Sequence, residues 1–194
     1  MAKPLNLPKG LTYNKQTRMI EGTFQRNKDW KLKISPHFRY SEFRSLDNSN
    51  EIKLDLGMVN RLERLREASG NRPIFIQEGY RTPDLNFRFN DGRFLTAGND
   101  LHSQGKAVDI RIKGLSSFET SMYANSLRTK KDNPVFKGLV FSETTPDVHL
   151  DIGKFNTFGT FQSGRLNRMD MPAHRPHLYP SELTRMWELG NQFR

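Results

Sequence analysis

The chain contains no cysteine. Disulfides are therefore excluded, and any bound metal must rest on histidine, aspartate and glutamate rather than thiolate. No apolar run approaches the ~18 residues needed to cross a bilayer, so no membrane span is expected. The N-terminal stretch with Lys3, Pro4, Pro8 and Lys9 lacks an apolar core, so no secretory signal peptide is expected. Internal repeats and low-complexity tracts are missing too. What remains, 194 residues with 35% hydrophobic content, suits one soluble domain with appendages, long enough to bury a core.

Acidic residues are scarce at both ends. Before residue 34 only Glu21 and Asp29 face eight lysines and arginines; after residue 153 only Asp170, Glu182 and Glu188 face six. The flanks thus hold nine of the ten net positive charges, and the middle is close to neutral. This divides the chain into a basic N-terminal arm (1–33), a central domain (34–153) and a C-terminal extension (154–194). Such flanks suit an anionic partner, and they equally suit plain solubility.

The chemistry gathers in two alternating stretches. From Ala107 to Ile112, Val108, Ile110 and Ile112 share one face while Ala107, Asp109 and Arg111 share the other. The second stretch puts Val148, Leu150 and Ile152 inward, with Asp147, His149 and Asp151 on the open face. His102 enters from a loop just before the first stretch. If the two strands are neighbours in one sheet, His102, Asp109 and His149 converge. Two imidazoles and a carboxylate, with a position left for water, form the protein ligands of a catalytic zinc site.

Elsewhere the pattern is plainer. Residues 1–29 read as an extended arm or hairpin, with a strand near Met19 to Phe24, and Trp30 to Ile34 alternates like another strand. From Leu54 to Ala68 the period is helical, with a stripe of Met58 or Val59, Leu62, Leu65 and Ala68 and a stop at Gly70. Pro73 to Ile76 is a β-type run, and residues 84–101, rich in Asn, Asp and Gly, read as a loop. Ser116 and Glu119 make a capping-box pattern opening a helix to about Thr129, with Phe118, Met122 and Leu127 inward. Gly138 to Phe141 and the stretch carrying His149 are close enough to form an antiparallel hairpin. His37 reads as a loop or packing histidine. His174 and His177 sit among prolines, which argues against a second metal site, and 180–189 reads as a short amphipathic helix.

Three segments also carry a family resemblance. His102, Gly105, Ala107 and Asp109, then Val148, His149, Leu150, Asp151 and Gly153, resemble the two metal motifs of the zinc D-alanyl-D-alanine carboxypeptidases and their peptidoglycan endopeptidase relatives. That family shares a fold with Hedgehog signalling domains. Upstream, Glu78-Gly-Tyr-Arg81-Thr-Pro-Asp-Leu-Asn86 is similar to the family's Ser-Gly-Tyr-Arg-Thr-x-x-x-Asn segment, while His37-Phe38 and Ser41-Glu-Phe43 resemble an entry segment of one branch. The likeness covers residues 34–153, and three motifs in order are far more specific than one.

The resemblance implies an α+β fold: a small, mostly antiparallel sheet with helices packed on one face, plus basic N- and C-terminal extensions. It implies one zinc ion held by His102, Asp109 and His149, and cleavage of peptide bonds involving D-amino acids in bacterial peptidoglycan. Arg81 is then placed to bind a substrate carboxylate or to stabilise an oxyanion, with Glu78 and Asp100 beside the substrate. Three positions depart from the family pattern. Glu78 and Asp100 each replace a serine, and Pro146 stands where many relatives carry the acid that serves as general base. That role is left to Asp151 or Asp147, with Glu143 third. A wall enzyme without a leader points to a bacteriophage lysis or virion-associated protein, in the host cytoplasm before lysis or in the particle, its flanks meeting wall, capsid or DNA. The alternative is a virion structural or adaptor protein that keeps the fold without turnover.

Overall fold

The structure is a computed structural model; it describes residues 7–23, 25, 30–47, 49–89, 100–127, 129, 131, 133–142, 144–153, 157–162 and 165–168. Two compact units divide the chain: residues 1–63 with 76–109, and residues 64–75 with 110–194.

The first unit opens with β1 (Leu11–Asn14) and β2 (Met19–Thr23), an antiparallel hairpin. Its turn is shaped by the Asn14 side chain, whose Oδ1 accepts from the amides of Gln16 at 2.9 Å and Thr17 at 3.1 Å. Strand β2 then pairs antiparallel with β3 (Glu51–Asp55), closing a three-stranded sheet. Alternation decides which residues go inside: Ile20, Ile52 and Leu54 are buried, while Glu21 is exposed and Lys53 half-buried.

Between β2 and β3, the expected strand at 30–34 does not form. Among the described residues the ladder contact there is an isolated bridge between Lys33 and Arg39, and the Ile34 amide turns back to the Phe38 carbonyl at 3.0 Å. The apolar residues of this segment fill the core instead, with Phe38, Tyr40 and Phe43 fully buried around a 3-10 turn at Tyr40–Phe43. Burial pushes the Tyr40 phenol up to about 12.

Helix α1 (Leu56–Ala68) begins two residues later than the periodicity predicts, because Leu54 and Asp55 belong to β3. Asp55 is the boundary: its Oδ1 accepts from the Gly57 amide at 2.7 Å, as a helix-capping side chain does. Met58, Val59, Leu62 and Leu65 form the fully buried stripe. The stripe ends in Ser69 rather than Ala68, which is exposed; Ser69 is one full turn beyond Leu65. Gly70 then adopts φ +73, where a side chain would be strained.

Strand β4 (Ile74–Glu78) follows, and α2 (Pro83–Phe89) occupies part of the stretch expected to be loop. The start signal was present in Thr82 and Pro83. Thr82 Oγ1 accepts from the Leu85 amide at 3.2 Å, and proline is favoured at a first helical position. Of the rest of that expected loop, 90–99 lies outside the described residues, while 100 and 101 are outside any helix or strand, as expected.

Strand β5 (Ala107–Ile112) has the predicted bounds, with Val108, Ile110 and Ile112 buried and Asp109 and Arg111 half-buried; Ala107, expected on the open face with them, is buried. In the second unit, α3 (Ser117–Ser126) opens with the expected capping box and ends at Leu127, sooner than expected. The Glu119 amide donates to Ser116 Oγ at 3.2 Å and the Ser116 amide to Glu119 Oε2 at 2.8 Å. α3 packs on β6 (Gly138–Ser142), where Phe118 meets Phe141 edge-on at 5.4 Å between centroids.

β6 and β7 (Val148–Asp151) form the expected antiparallel hairpin, and β8 (Thr157–Gln162) runs parallel to β6 before pairing antiparallel with β9 (Arg165–Arg168). The larger sheet has strand order β4-β5-β7-β6-β8-β9. The fold is α+β, mostly antiparallel, as anticipated. The predicted helix at 180–189 and the histidines at 174 and 177 lie outside the described residues.

Candidate metal centre

Because β5 and β7 are neighbours in the sheet order, the two alternating stretches come side by side. His102, Asp109 and His149 each offer one ligand atom, and those atoms all lie within 4.8 Å of one another. Donors this close, taken from a loop and two strands far apart in sequence, can hold a metal ion. His37 lies elsewhere, on a loop, with Nδ1 2.7 Å from Glu63 Oε2.

Each ligand is positioned by local structure. His102 sits in the turn 101–105, and its ring is buried at 4% exposure. The Asp100 carboxylate shapes the turn: Oδ1 accepts from the His102 amide at 3.2 Å and Oδ2 from the Ser103 hydroxyl at 2.8 Å. Asp100 thus steers His102 through its backbone. Gly105 closes the turn at φ +68, and a β-carbon there would collide with the Lys53 carbonyl, so only glycine lets the loop lie against β3. His102 Nδ1 is 2.8 Å from the Gly79 carbonyl oxygen. A carbonyl only accepts, so Nδ1 carries the proton and Nε2 presents its lone pair, 3.5 Å from Asp109 Oδ1.

His149 is half-buried at the centre of β7, with Nε2 3.5 Å from Asp151 Oδ2. Strand alternation put Asp151 on the open face, but it is only 7% exposed. The cause is Gly138, its partner across the β6–β7 ladder. With no side chain there, the Asp151 carboxylate folds over the neighbouring strand, where a β-carbon would overlap it. Its Oδ1 also accepts from the Gly153 amide at 2.8 Å. Asp147 is held differently. Arg111 clasps it at two points, Nε to Oδ1 at 2.5 Å and Nη2 to Oδ2 at 3.1 Å, and hydrogen bonding to that carboxylate raises the guanidinium pKa further. Glu143 lies outside the described residues.

Arg81 follows β4 in the loop before α2. Its guanidinium meets Glu78 at two points, Nε to Oε1 at 2.9 Å and Nη2 to Oε2 at 2.6 Å, and Nη1 is 3.9 Å from Asp100 Oδ2. Burial alone would lower its pKa; the Glu78 hydrogen bonds and charge, with Asp100 and Asp109, outweigh that and raise it. The Glu78 pairing was not anticipated, although a three-residue spacing across a tight bend was the available signal.

A family model described as Peptidase M15 matches residues 36–151, well over half of the chain. The chain belongs to the peptidase M15 family. Peptidases of this family are typically metal-dependent, in keeping with the His-Asp-His group. The M15 chain is also 29% identical over 107 residues to the peptidoglycan L,D-endopeptidase MepK of Escherichia coli strain K12, covering 54% of this chain and 55% of that protein. The protein of the same name from Shigella flexneri matches with the same identity and coverage. The chain spans about half the length of these curated relatives. No helix among the described residues is long and apolar enough to cross a membrane.

Proposed function

We propose that this M15 protein is a zinc-dependent peptidase that cleaves peptide bonds in the stem peptides or cross-links of bacterial peptidoglycan. The observation that carries this reading is the gathering of His102, Asp109 and His149 ligand atoms within 4.8 Å. The donor set fits zinc: two imidazole nitrogens and a carboxylate oxygen with no thiolate, and a His102 tautomer preset by Gly79. Zinc bound there would polarise the scissile carbonyl and lower the pKa of a water towards about 7.

The protein's own groups have separable tasks. His102 and His149 serve as neutral imidazole ligands and Asp109 as the anionic one. Asp151 is the favoured proton carrier, because Oδ2 is directed towards His149 while Oδ1 is fixed by Gly153. Asp147 already accepts two bonds from Arg111 and is better suited to holding β5 and β7 in register. The activity for which those relatives are named, an L,D-endopeptidase on peptidoglycan, makes an internal bond of a stem peptide the first substrate to try.

Purified peptidoglycan incubated with the protein should release new amino groups, and His149→Ala should release none. The engaged state of Arg81 favours one other reading, a structural or adaptor protein that keeps the fold and the metal without turnover. Release by the wild type excludes that reading; no release, or release undiminished in His149→Ala, sinks the peptidase.

A further inference from the structure

An arginine beside a peptidase centre ordinarily offers its planar fork to a carboxylate. Here the Nε–Nη2 side of that fork is already taken. Glu78 takes the Nε and Nη2 positions, and Asp100 faces Nη1 at 3.9 Å. The pair is well screened from solvent, with side chains 15% and 10% exposed. Two carboxylates therefore flank one guanidinium. An incoming carboxylate would have to expel Glu78 and leave it buried without its partner, which is strongly unfavourable. If it did not expel Glu78, it would meet like charge on two sides. An uncharged amide meets neither penalty.

We propose that Glu78 is a specificity-determining residue: by occupying the Arg81 guanidinium it bars recognition of a free C-terminal carboxylate and restricts the centre to internal peptide bonds. This deepens the peptidase reading and rests on it. Arg81 then acts as a brace, tying the end of β4 to the turn that carries His102. Gly79, between the two paired residues, supplies the carbonyl that orients the His102 ring. Serine at position 78 would leave the same arginine open to a carboxylate, so a single side chain decides between two substrate classes.

The test reads binding without turnover. In the full chain, labelled at arginine and assigned with Arg81→Lys, the Arg81 Nε signal is followed by NMR during titration with N-acetyl-D-alanine and with its amide. The wild-type signal should respond to neither. In Glu78→Ser and Glu78→Ala, checked for native circular dichroism, the acid should shift the signal saturably with at least tenfold preference over the amide. A saturable response of the wild type to the acid overturns the proposal on its own, whether or not the variants fold. So does a folded variant that fails to prefer the acid. Failure to hydrolyse peptidoglycan would count against the peptidase reading alone, since this titration needs no catalysis.

Discussion

His102 Nδ1 lies 2.8 Å from the carbonyl oxygen of Gly79, and because a carbonyl only accepts, Nδ1 is the nitrogen that donates in this contact. If the three-residue centre holds zinc, the protein purified without added metal should contain about one ion per chain, measured by elemental analysis. His102→Ala, Asp109→Ala and His149→Ala should each lose it, with a fall in wall hydrolysis beyond the 10–100-fold typical of removing an outer partner. Full metal content in all three would exclude the site.

Gly138 leaves the space that the Asp151 carboxylate fills. Gly138→Ala should therefore destabilise the fold by about 1–3 kcal/mol, the usual range for overpacking, and also move Asp151. Asp151→Asn keeps the volume and should lower turnover while leaving zinc content intact. Urea titration reads the first effect, and hydrolysis with metal analysis reads the second. A fully active Asp151→Asn protein would remove it as proton carrier.

Leu62 and Leu65 are completely buried on the inner stripe of α1. Truncating either to alanine should cost about 2–5 kcal/mol, with the spread set by how far the cavity collapses. Replacing exposed Ala68 with serine should change stability by less than about 0.5 kcal/mol. Denaturant midpoints for the three variants give the comparison.

Acid should weaken the fold through Glu63. Burial alone would raise its pKa, but hydrogen bonds from Ser35 and His37 outweigh that and hold it below the usual 4.5. A folded-state pKa below the unfolded one means the stabilisation is complete above the unfolded value and disappears as pH falls through the folded value. Asp47 acts in the same direction, its burial outweighed by bonds from Ser49 and Thr82. Glu63→Gln should flatten the decline in melting temperature below about pH 4.5 relative to wild type. An unchanged acid limb would show that the pairing adds nothing.

Much of this arrangement can be read from residue order, because strand alternation is a local property. Ala107 to Ile112 and Val148 to Asp151 declare their faces without reference to anything distant, and Ser116 with Glu119 announces a helix start. The same locality explains the misses. Trp30 to Ile34 alternates correctly, but among the described residues it joins no strand ladder, and the Ile34 amide bonds within a short loop to the Phe38 carbonyl. Thr82 and Pro83 signal a helix that the polar run after residue 90 obscures. The burial of Asp151 depends on a glycine thirteen positions upstream becoming its ladder partner, a matter of register across strands. The pairing of Arg81 with Glu78 is likewise a contact; the residue types alone suit either an internal pair or a waiting substrate site.

The family match begins at residue 36 and stops at 151, yet each sheet is extended by strands lying outside those limits. β2 zips onto β3 on one side, and β8 onto β6 on the other. A fragment trimmed to the matched segment would strip two ladders at once, laying bare rows of amide and carbonyl groups on β3 and β6. Such raw edges invite strand addition from other chains. The smallest well-behaved piece of this protein should therefore run from about residue 10 to at least residue 168, and shorter versions should precipitate although they retain His102, Asp109 and His149.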